Sequence, residues 1–439
     1  MRYRYRLEKR KAKRLGFVRL IRKLAIASLV LIMFYLLFLY TGGRPYLTED
    51  SLRALSLIPT EKTYTLGFDR PIKTIKIHAE QDGQKRELYY ASFDQPTNKV
   101  SFTLKAKDLG LKDGQVRLTL EFSSGFLLNR SYSLLSTVDA QPPSLRVVAY
   151  TQSPSVGGSL ALKVKVDEEA QAWFLHGEHR YRLYSVGERY HLGICPIRLD
   201  ASQGAFRVEA VDSAGNIFRQ ELHINLREVK FKEDRINIDD SFVDRVVYPL
   251  LGKEGEGLST VDAFRRINEV WRSRDVSKIK EVGLKSEPRV MWEGAFIQLP
   301  NSKVFAGYGD VRHYFYGAQK ISESRHMGFD FASVERAPIP ASNSGVVVFA
   351  GNLGIYGNVV IIDHGMGLMS LYGHLSEVSV KEGQFVKKGE IIGRTGATGL
   401  ALGDHLHFGI LVQGYEVNPV EWLDAKWIKN NITSVFDAK

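Results

Sequence analysis

Four residues near the C-terminus are candidate ligands of a metal ion. His405 and His407 are one residue apart in "GDHLHFGI", and His326 and Asp330 are four apart in "SRHMGFDFA". Two imidazoles and one carboxylate on zinc, with one open position, are typical of a catalytic rather than a structural site. The one cysteine, Cys195, offers no thiolate pair, so a zinc ion here would be held by histidine and carboxylate. Each pair alone is a weak signal, but together they predict a catalytic zinc site.

The residues around these pairs predict a glycine-rich antiparallel β-sheet. The last 149 residues hold 20 of the 39 glycines and six of the eleven histidines, His364 and His374 among them. Apolar runs such as "GVVVFAG" alternate with the glycines, which supply tight turns in an all-β fold. Residues i and i+2 of a strand share a face, so His405 and His407 would face the same groove. Gly328 favours a loop or turn, rather than a helix, for the other pair.

Two β-sandwich modules are predicted before this domain. Residues 44–139 alternate between apolar and polar positions, as in "IKTIKIHAE", which is strand periodicity. Paired prolines in "VDAQPPSL" then suit a stiff linker. Residues 140–228 resume the strands, and their "AVDSAGN" resembles a hairpin of bacterial immunoglobulin-like domains. We expect both modules to act as spacers or binding modules.

Residues 229–290 are predicted to be a helical linker region. In "STVDAFRRINEVWRSRD", Ser259 precedes Asp262 by three residues, which approximates a capping box. Phe264 and Ile267 then begin an apolar face at helical spacing, and we expect that face to pack. The region is also the candidate for a plug over the active site.

The positive charge of the chain is concentrated in a short N-terminal tail. Net charge is +11, but residues 1–23 hold eleven of the 60 Lys and Arg residues and one acid, Glu8. The other residues carry 49 basic and 48 acidic side chains. Because a nucleic-acid-binding protein carries its charge on a folded surface, that class is set aside.

An apolar run at residues 24–41 is predicted to be a transmembrane anchor. As a helix, "LAIASLVLIMFYLLFLY" would rise roughly 26 Å, close to the hydrocarbon thickness of a bilayer. A basic cluster before a single span predicts a cytoplasmic N-terminus and an extracytoplasmic remainder. A cleaved signal peptide is the main rival, but no small-x-small cleavage site follows Tyr40.

About the last third of the chain resembles the lysostaphin/LytM-type zinc metalloendopeptidases, which are peptidoglycan hydrolases. The resemblance covers about residues 300–425, inside a predicted domain at 291–439. The motifs that carry it occur in the order and at the spacing typical of that family: "HMGFDFA", "GVVVFAG", "YGNVVIIDHGMGLMSLYGHL", "VKEGQFVKKGEIIGRTGATG", "HLHFGI" and "VNPVEWL".

The resemblance implies a role for each candidate residue. His326, Asp330 and His407 match the zinc ligands of the family, with one Zn²⁺ per chain and no other cofactor. His374 and His405 match its two catalytic histidines, but which of them is the base stays open. His364 matches a residue of the fold outside the metal shell. Such enzymes are similar in cutting peptide bonds in the stems or cross-links of bacterial peptidoglycan.

The topology and the resemblance together predict where the protein acts. We expect a single-pass protein of the cytoplasmic (inner) membrane with its catalytic domain outside, in a periplasm. Its expected partners are the peptidoglycan peptide, the membrane, and cell-wall synthesis or division proteins.

Two other functions compete with this one. Some LytM-like domains have lost zinc ligands and regulate other hydrolases, but here the whole ligand set is present. The stretch "VKEGQFVKKGEIIG" also looks like the hairpins of biotinyl or lipoyl carriers. Those domains present a lysine in a Met-Lys-Met context, which this chain lacks, and so the carrier reading is rejected.

Overall fold

The computed structural model describes residues 2–42, 44–125, 128–204 and 206–439. Its contacts divide the chain into two compact units. The first comprises residues 1–142 with 213–216, and the second residues 143–212 with 217–439. The chain is mainly β, as predicted, with few helices and a C-terminal β domain. The boundaries of the six predicted segments stay predictions.

The first helix, α1 (Arg2–Gly42), contains an apolar stretch. Its residues Gly16–Leu37 are long and apolar enough to cross a membrane, and they are exposed. A helix of this kind serves either as an anchor or as a signal sequence. The stretch begins before the predicted span at 24–41. The side chains of residues 1–15 and 38–43 lie outside the described part of the chain. Most of the predicted tail and the end of the predicted span fall within these residues.

The first module is a helix and one strongly bent sheet. Its elements are α2 (Glu49–Ala54), β1 (Leu57–Ile58), β2 (Glu61–Gln81), β3 (Gln84–Lys105), β4 (Gly114–Ser123) and β5 (Asn129–Val138). The strand order is β1-β5-β4-β2-β3. Tyr89 and Phe102 lie on the same strand, yet their rings stack 4.5 Å apart. The sheet therefore folds over its own apolar face, which gives sandwich-like packing from a single sheet.

The second module has seven strands in two halves. They are β6 (Leu145–Tyr150), β7 (Ser159–Val166), β8 (Ala170–His176), β9 (His179–Ser185), β10 (Tyr190–Pro196), β11 (Phe206–Asp212) and β12 (Ile217–Leu222). Strands β9 and β10 pair at only two positions, His191 with Ser185 and Leu192 with Tyr184. Both halves contribute to one core, for example Leu162 from β7 and Phe174 from β8. This arrangement agrees with the predicted immunoglobulin-like sandwich.

The linker region is helical, as predicted, but it begins with a strand. Its elements are β13 (Glu233–Asn237), α3 (Asp240–Phe242), a π-helical turn (Val243–Val247), α4 (Tyr248–Leu251), a 3-10 turn (Gly252–Gly255), α5 (Thr260–Arg265), a second π-helical turn (Arg266–Trp271) and α6 (Arg272–Gly283). Ser259 caps α5 through the Asp262 amide, as the spacing predicts. Strand β13 therefore departs from the prediction that residues 229–290 are helical throughout.

The C-terminal domain is built on an eight-stranded sheet. Its strands are β14 (Lys303–Ala306), β15 (Val311–Tyr316), β16 (Gln319–Arg325), β17 (Phe329–Ala332), β18 (Pro338–Pro340), β19 (Gly345–Asn352), β20 (Asn358–Gly365), β21 (Leu368–Leu375), β22 (Glu377–Val378), β23 (Phe385–Val386), β24 (Ile391–Arg394), β25 (Leu406–Val412) and β26 (Tyr415–Val417). A 3-10 turn (Gly354–Tyr356) precedes β20, and α7 (Pro419–Leu423), α8 (Ala425–Ile428), a π-helical turn (Lys429–Thr433) and α9 (Ser434–Phe436) end the chain. The main sheet has the order β14-β17-β25-β21-β20-β19-β23, with β26 beside β25, and a smaller sheet has the order β13-β15-β16.

This sheet is buried on both faces. Met369 and Leu371 of β21 face a core that the helices of the linker region complete through Phe264 and Ile267. Tyr372, on the opposite face, joins a core of the domain's own loops and C-terminal helices. The linker region is therefore part of the domain's core. The apolar face of α5 predicts this packing, whereas a plug that detaches from the domain would not need to complete its core.

The second module packs firmly against the C-terminal domain. The Gln413 amide donates to the carbonyls of Arg182 and Ile194, at 3.0 and 2.9 Å. The Ser159 amide donates to Glu421 at 2.8 Å, and the Trp422 indole donates to the Ser159 hydroxyl at 3.1 Å. This module is thus in direct contact with the domain, and its role as a spacer or binding module stays a prediction.

Candidate metal centre

Three adjacent strands bring the predicted ligands together. Asp330 on β17 pairs directly with His407 on β25, and His407 pairs with Gly373 on β21. His326 lies in the loop between β16 and β17, as Gly328 predicts. Gly328 is required there, since a Cβ would lie 2.6 Å from the Phe408 carbonyl and 2.7 Å from the His407 ring.

The donor atoms of these residues form a compact triangle. His326 Nε2 lies 2.9 Å from Asp330 Oδ1 and 3.1 Å from His407 Nδ1, and the last two atoms are 3.0 Å apart. Donors about 2.0–2.1 Å from a tetrahedral zinc lie about 3.3 Å from one another. The atoms would have to separate by only a few tenths of an ångström, so this donor set fits a zinc ion.

The hydrogen bonds around the triangle select which nitrogen is available. A carbonyl oxygen only accepts, so His326 donates through Nδ1 to the Gly307 carbonyl at 2.7 Å. Its Nε2 then carries the lone pair that a metal needs. Bonds of this kind fix the tautomer and orientation of metal-binding histidines.

Burial and charge suit the same role. Burial alone would raise the pKa of Asp330, but its close contacts with His326 and His407 outweigh burial and hold that pKa well below its usual range. Burial lowers the pKa of His407 to about 4. At neutral pH this gives a carboxylate and a neutral imidazole, the forms that bind metal.

The two remaining predicted residues lie beside the triangle. His405 Nε2 is 3.7 Å from Asp330 Oδ1, and the His405 ring is 4.7 Å from that of His374. His374 donates through Nδ1 to the Thr398 carbonyl at 2.7 Å, and His405 donates likewise to Gly403 at 2.8 Å. Both Nε2 atoms are therefore left as acceptors. Burial, and then the neighbouring histidines His405 and His407, lower the pKa of His374 to about 3.

An unusual backbone turn brings His374 to the site. Its φ is +64°, in the left-handed region that non-glycine residues rarely adopt. Strand alternation would point consecutive residues 373 and 374 to opposite faces of β21, and Gly373 pairs with His407 and so shares its face. The left-handed turn redirects the His374 ring to 5.9 Å from that of His407. Strain of this kind is held at functional sites.

Two contacts of the ligands were not predicted from the sequence. Arg312 Nη2 lies 3.0 Å from Asp330 Oδ2. The Tyr356 ring lies 5.4 Å from the His407 ring, and the Tyr356 hydroxyl donates to the half-buried Glu416 at 2.9 Å. His364 lies apart from the triangle, fully buried between the Ser344 carbonyl and the Ser370 hydroxyl, as a residue of the fold.

Known proteins resemble the stretch that holds this site. DD-carboxypeptidase/endopeptidase Mpg of Neisseria meningitidis is 46% identical over 95 residues, 22% of each chain. Peptidoglycan DD-endopeptidase ShyA of Vibrio cholerae is 44% identical over 96 residues, also 22% of each chain. Murein hydrolase activator NlpD of Salmonella dublin is 41% identical over 103 residues, 23% of this chain and 27% of that one. The match thus spans only about a quarter or less of the length of these relatives.

A family model matches the same part of the chain. The stretch at residues 324–419 matches Peptidase family M23. It contains all five residues of the centre and the loop and strands that position them. The chain therefore carries a domain of peptidase family M23 at residues 324–419.

Proposed function

We propose that this protein is a membrane-anchored, extracytoplasmic zinc metalloendopeptidase that hydrolyses peptide cross-links or stems of bacterial peptidoglycan. The observation that carries the proposal is the triangle of donor atoms from His326, Asp330 and His407, with the His374 and His405 rings beside it. The M23 match and the relatives named as DD-endopeptidases support the substrate class.

His326, Asp330 and His407 would hold one zinc ion per chain. When bound, zinc supplies Lewis acidity and makes a water molecule acidic enough to act as a nucleophile near neutral pH. Their burial and hydrogen bonds keep these side chains in one arrangement, so little reorganisation is needed on binding.

His374 and His405 would carry out the proton chemistry. Each donates through Nδ1 to a carbonyl, so that Nε2 can accept a proton. A protonated Nε2 could then donate to the oxyanion of the peptide or to the leaving amine. The two rings are adjacent, so either one could serve as the base.

The N-terminal helix supports the proposed location. A helix that crosses the inner membrane would tether the enzyme beside the periplasmic wall and near the proteins that synthesise it. In a diderm wall the expected target is the D-Ala to meso-diaminopimelate cross-link.

Digestion of purified sacculi tests the proposal. The zinc-loaded full chain in detergent should remove cross-linked muropeptides, and mass spectrometry of the fragments should name the bond. A chelator and Asp330→Ala should each abolish cleavage, since both remove the metal or a ligand. Intact cross-links after digestion by the loaded wild-type chain would contradict the proposal.

The resemblance to NlpD supports a second candidate function, that of a regulator which activates other hydrolases. A regulator would leave sacculi intact but would increase their digestion when added to a wall hydrolase. Its effect would survive Asp330→Ala, whereas that of the enzyme would not.

A further inference from the structure

We propose that Arg312 is a positioning residue of the metal centre, which holds the Asp330 carboxylate so that a single oxygen faces the metal. This inference rests on the zinc site of the proposed function. Arg312 Nη2 lies 3.0 Å from Asp330 Oδ2, with 23% of the arginine side chain and 10% of the aspartate side chain exposed. The pair is therefore largely shielded from solvent, where an ion pair holds its geometry better than at the surface.

The two carboxylate oxygens have different partners. Oδ1 faces the imidazoles of His326 and His407, at 2.9 and 3.0 Å. Oδ2 is occupied by the guanidinium. Because rotation about the terminal torsion of aspartate is soft, the carboxylate would otherwise exchange its oxygens or tilt. The contact with Arg312 restricts that rotation.

The sheet that carries Arg312 makes it a firm support. Arg312 lies on β15, the central strand of the small sheet, in register with Asp234 on β13 and Ser324 on β16. The turn before β15 holds the first ligand as well, since the Gly307 carbonyl accepts the His326 Nδ1 proton. One segment, residues 307–312, thus orients two of the three ligands.

The linker region contributes to this support. Strand β13 belongs to residues 229–290 and pairs in parallel with β15 over five positions. Strand β13 pairs with one edge of β15 and β16 pairs with the other, so β15 is held on both sides. The linker region would therefore help to assemble the centre.

A positioning role and a simple charge effect predict opposite results for a neutral substitution. A guanidinium near a bound dication repels it, so removing the charge alone should tighten metal binding. Removing an orienting contact should weaken it, and losses for such partners are about 10- to 100-fold. The direction of the change therefore decides between the two roles.

The test measures zinc affinity without substrate. The full chain in detergent is stripped of metal and titrated with zinc against a chromophoric chelator. Arg312→Gln should raise the Kd about 10- to 100-fold, and Arg312→Lys should lie between this variant and the wild type. Arg235→Gln is the matched control, because Arg235 lies on β13 with its guanidinium 3.6 Å from the Phe315 ring centre. Its Kd should equal that of the wild type.

Three outcomes would overturn the proposal: an unchanged Kd for Arg312→Gln, a lower one, or an equal loss in Arg235→Gln. Circular dichroism and one zinc per chain at saturation show that each variant is folded. A wild-type chain that binds zinc but leaves sacculi intact would refute the peptidase function and leave the Arg312 result standing. A wild-type chain that binds no zinc would overturn both.

Discussion

Glu421 should make the stability of the second unit depend on pH. Glu421 is 5% exposed, and its carboxylate accepts a hydrogen bond from the Ser159 amide at the contact between the second module and the C-terminal domain. Burial raises the pKa of Glu421 from 4.5 to about 8. In the folded protein the group therefore holds a proton that the unfolded chain releases above about pH 4.5.

The sign and size of the effect follow from this proton. The contribution of Glu421 to the free energy of unfolding is greatest below pH 4.5. It falls as the pH rises and levels off above about pH 8. The full range corresponds to about 5 kcal/mol, at about 1.4 kcal/mol per pH unit. Between pH 6.5 and 8 the free energy of unfolding should fall by about 2 kcal/mol because of Glu421. Glu416, whose pKa burial raises to about 7, contributes only to the lower part of that window.

Glu421→Gln isolates the effect, since glutamine keeps an acceptor for the Ser159 amide but does not titrate. We expect the variant to match the wild type near pH 6 and to exceed it by about 2 kcal/mol at pH 8. Urea unfolding of the full chain in detergent can be followed by tryptophan fluorescence, because all five tryptophans lie in the second unit. Glu335→Gln, at an exposed carboxylate, is the control. An equal fall with pH in Glu421→Gln and the wild type would refute the reasoning.

Three further predictions concern the metal centre and its support. Gly328→Ala should weaken zinc binding about tenfold or more in a chelator titration, because the new Cβ meets the His407 ring, whereas Gly351→Ala has room and should not. The His374→Ala variant should still bind zinc, but its rate of muropeptide release should fall about 10²–10⁴-fold. If the variant lost its zinc instead, His374 would be a metal ligand. Phe264→Ala should destabilise the second unit by about 3–5 kcal/mol in urea, since the side chain is 1% exposed; an unchanged midpoint would mean that the linker region unfolds separately.

The parts of the site that depend on local patterns could be predicted from the sequence. Strand alternation places His405 and His407 on one face, and Gly328 indicates the loop that carries His326. Alternation of apolar residues likewise predicts the β modules.

The contacts between distant segments could not be predicted. Arg312 reaches Asp330 from another strand, and no spacing in the sequence marks that pair. Strand β13 depends on a parallel partner far along the chain, so its five residues carry little local signal. The left-handed turn at His374 opposes the backbone preference of histidine and is held by the surrounding fold.

The stretch that this chain shares with its relatives is shorter than the part of the chain that forms the hydrophobic cores on both faces of its sheet. Residues 324–419 include a sheet with one face closed by helices before residue 290. Its other face is closed by the C-terminal helices, with Ala161 and Ile194 of the second module in the same core. A chimera that exchanged only the shared stretch would have to match two foreign apolar surfaces at once. Recombination, natural or engineered, should therefore succeed only when the flanking segments travel with the catalytic stretch.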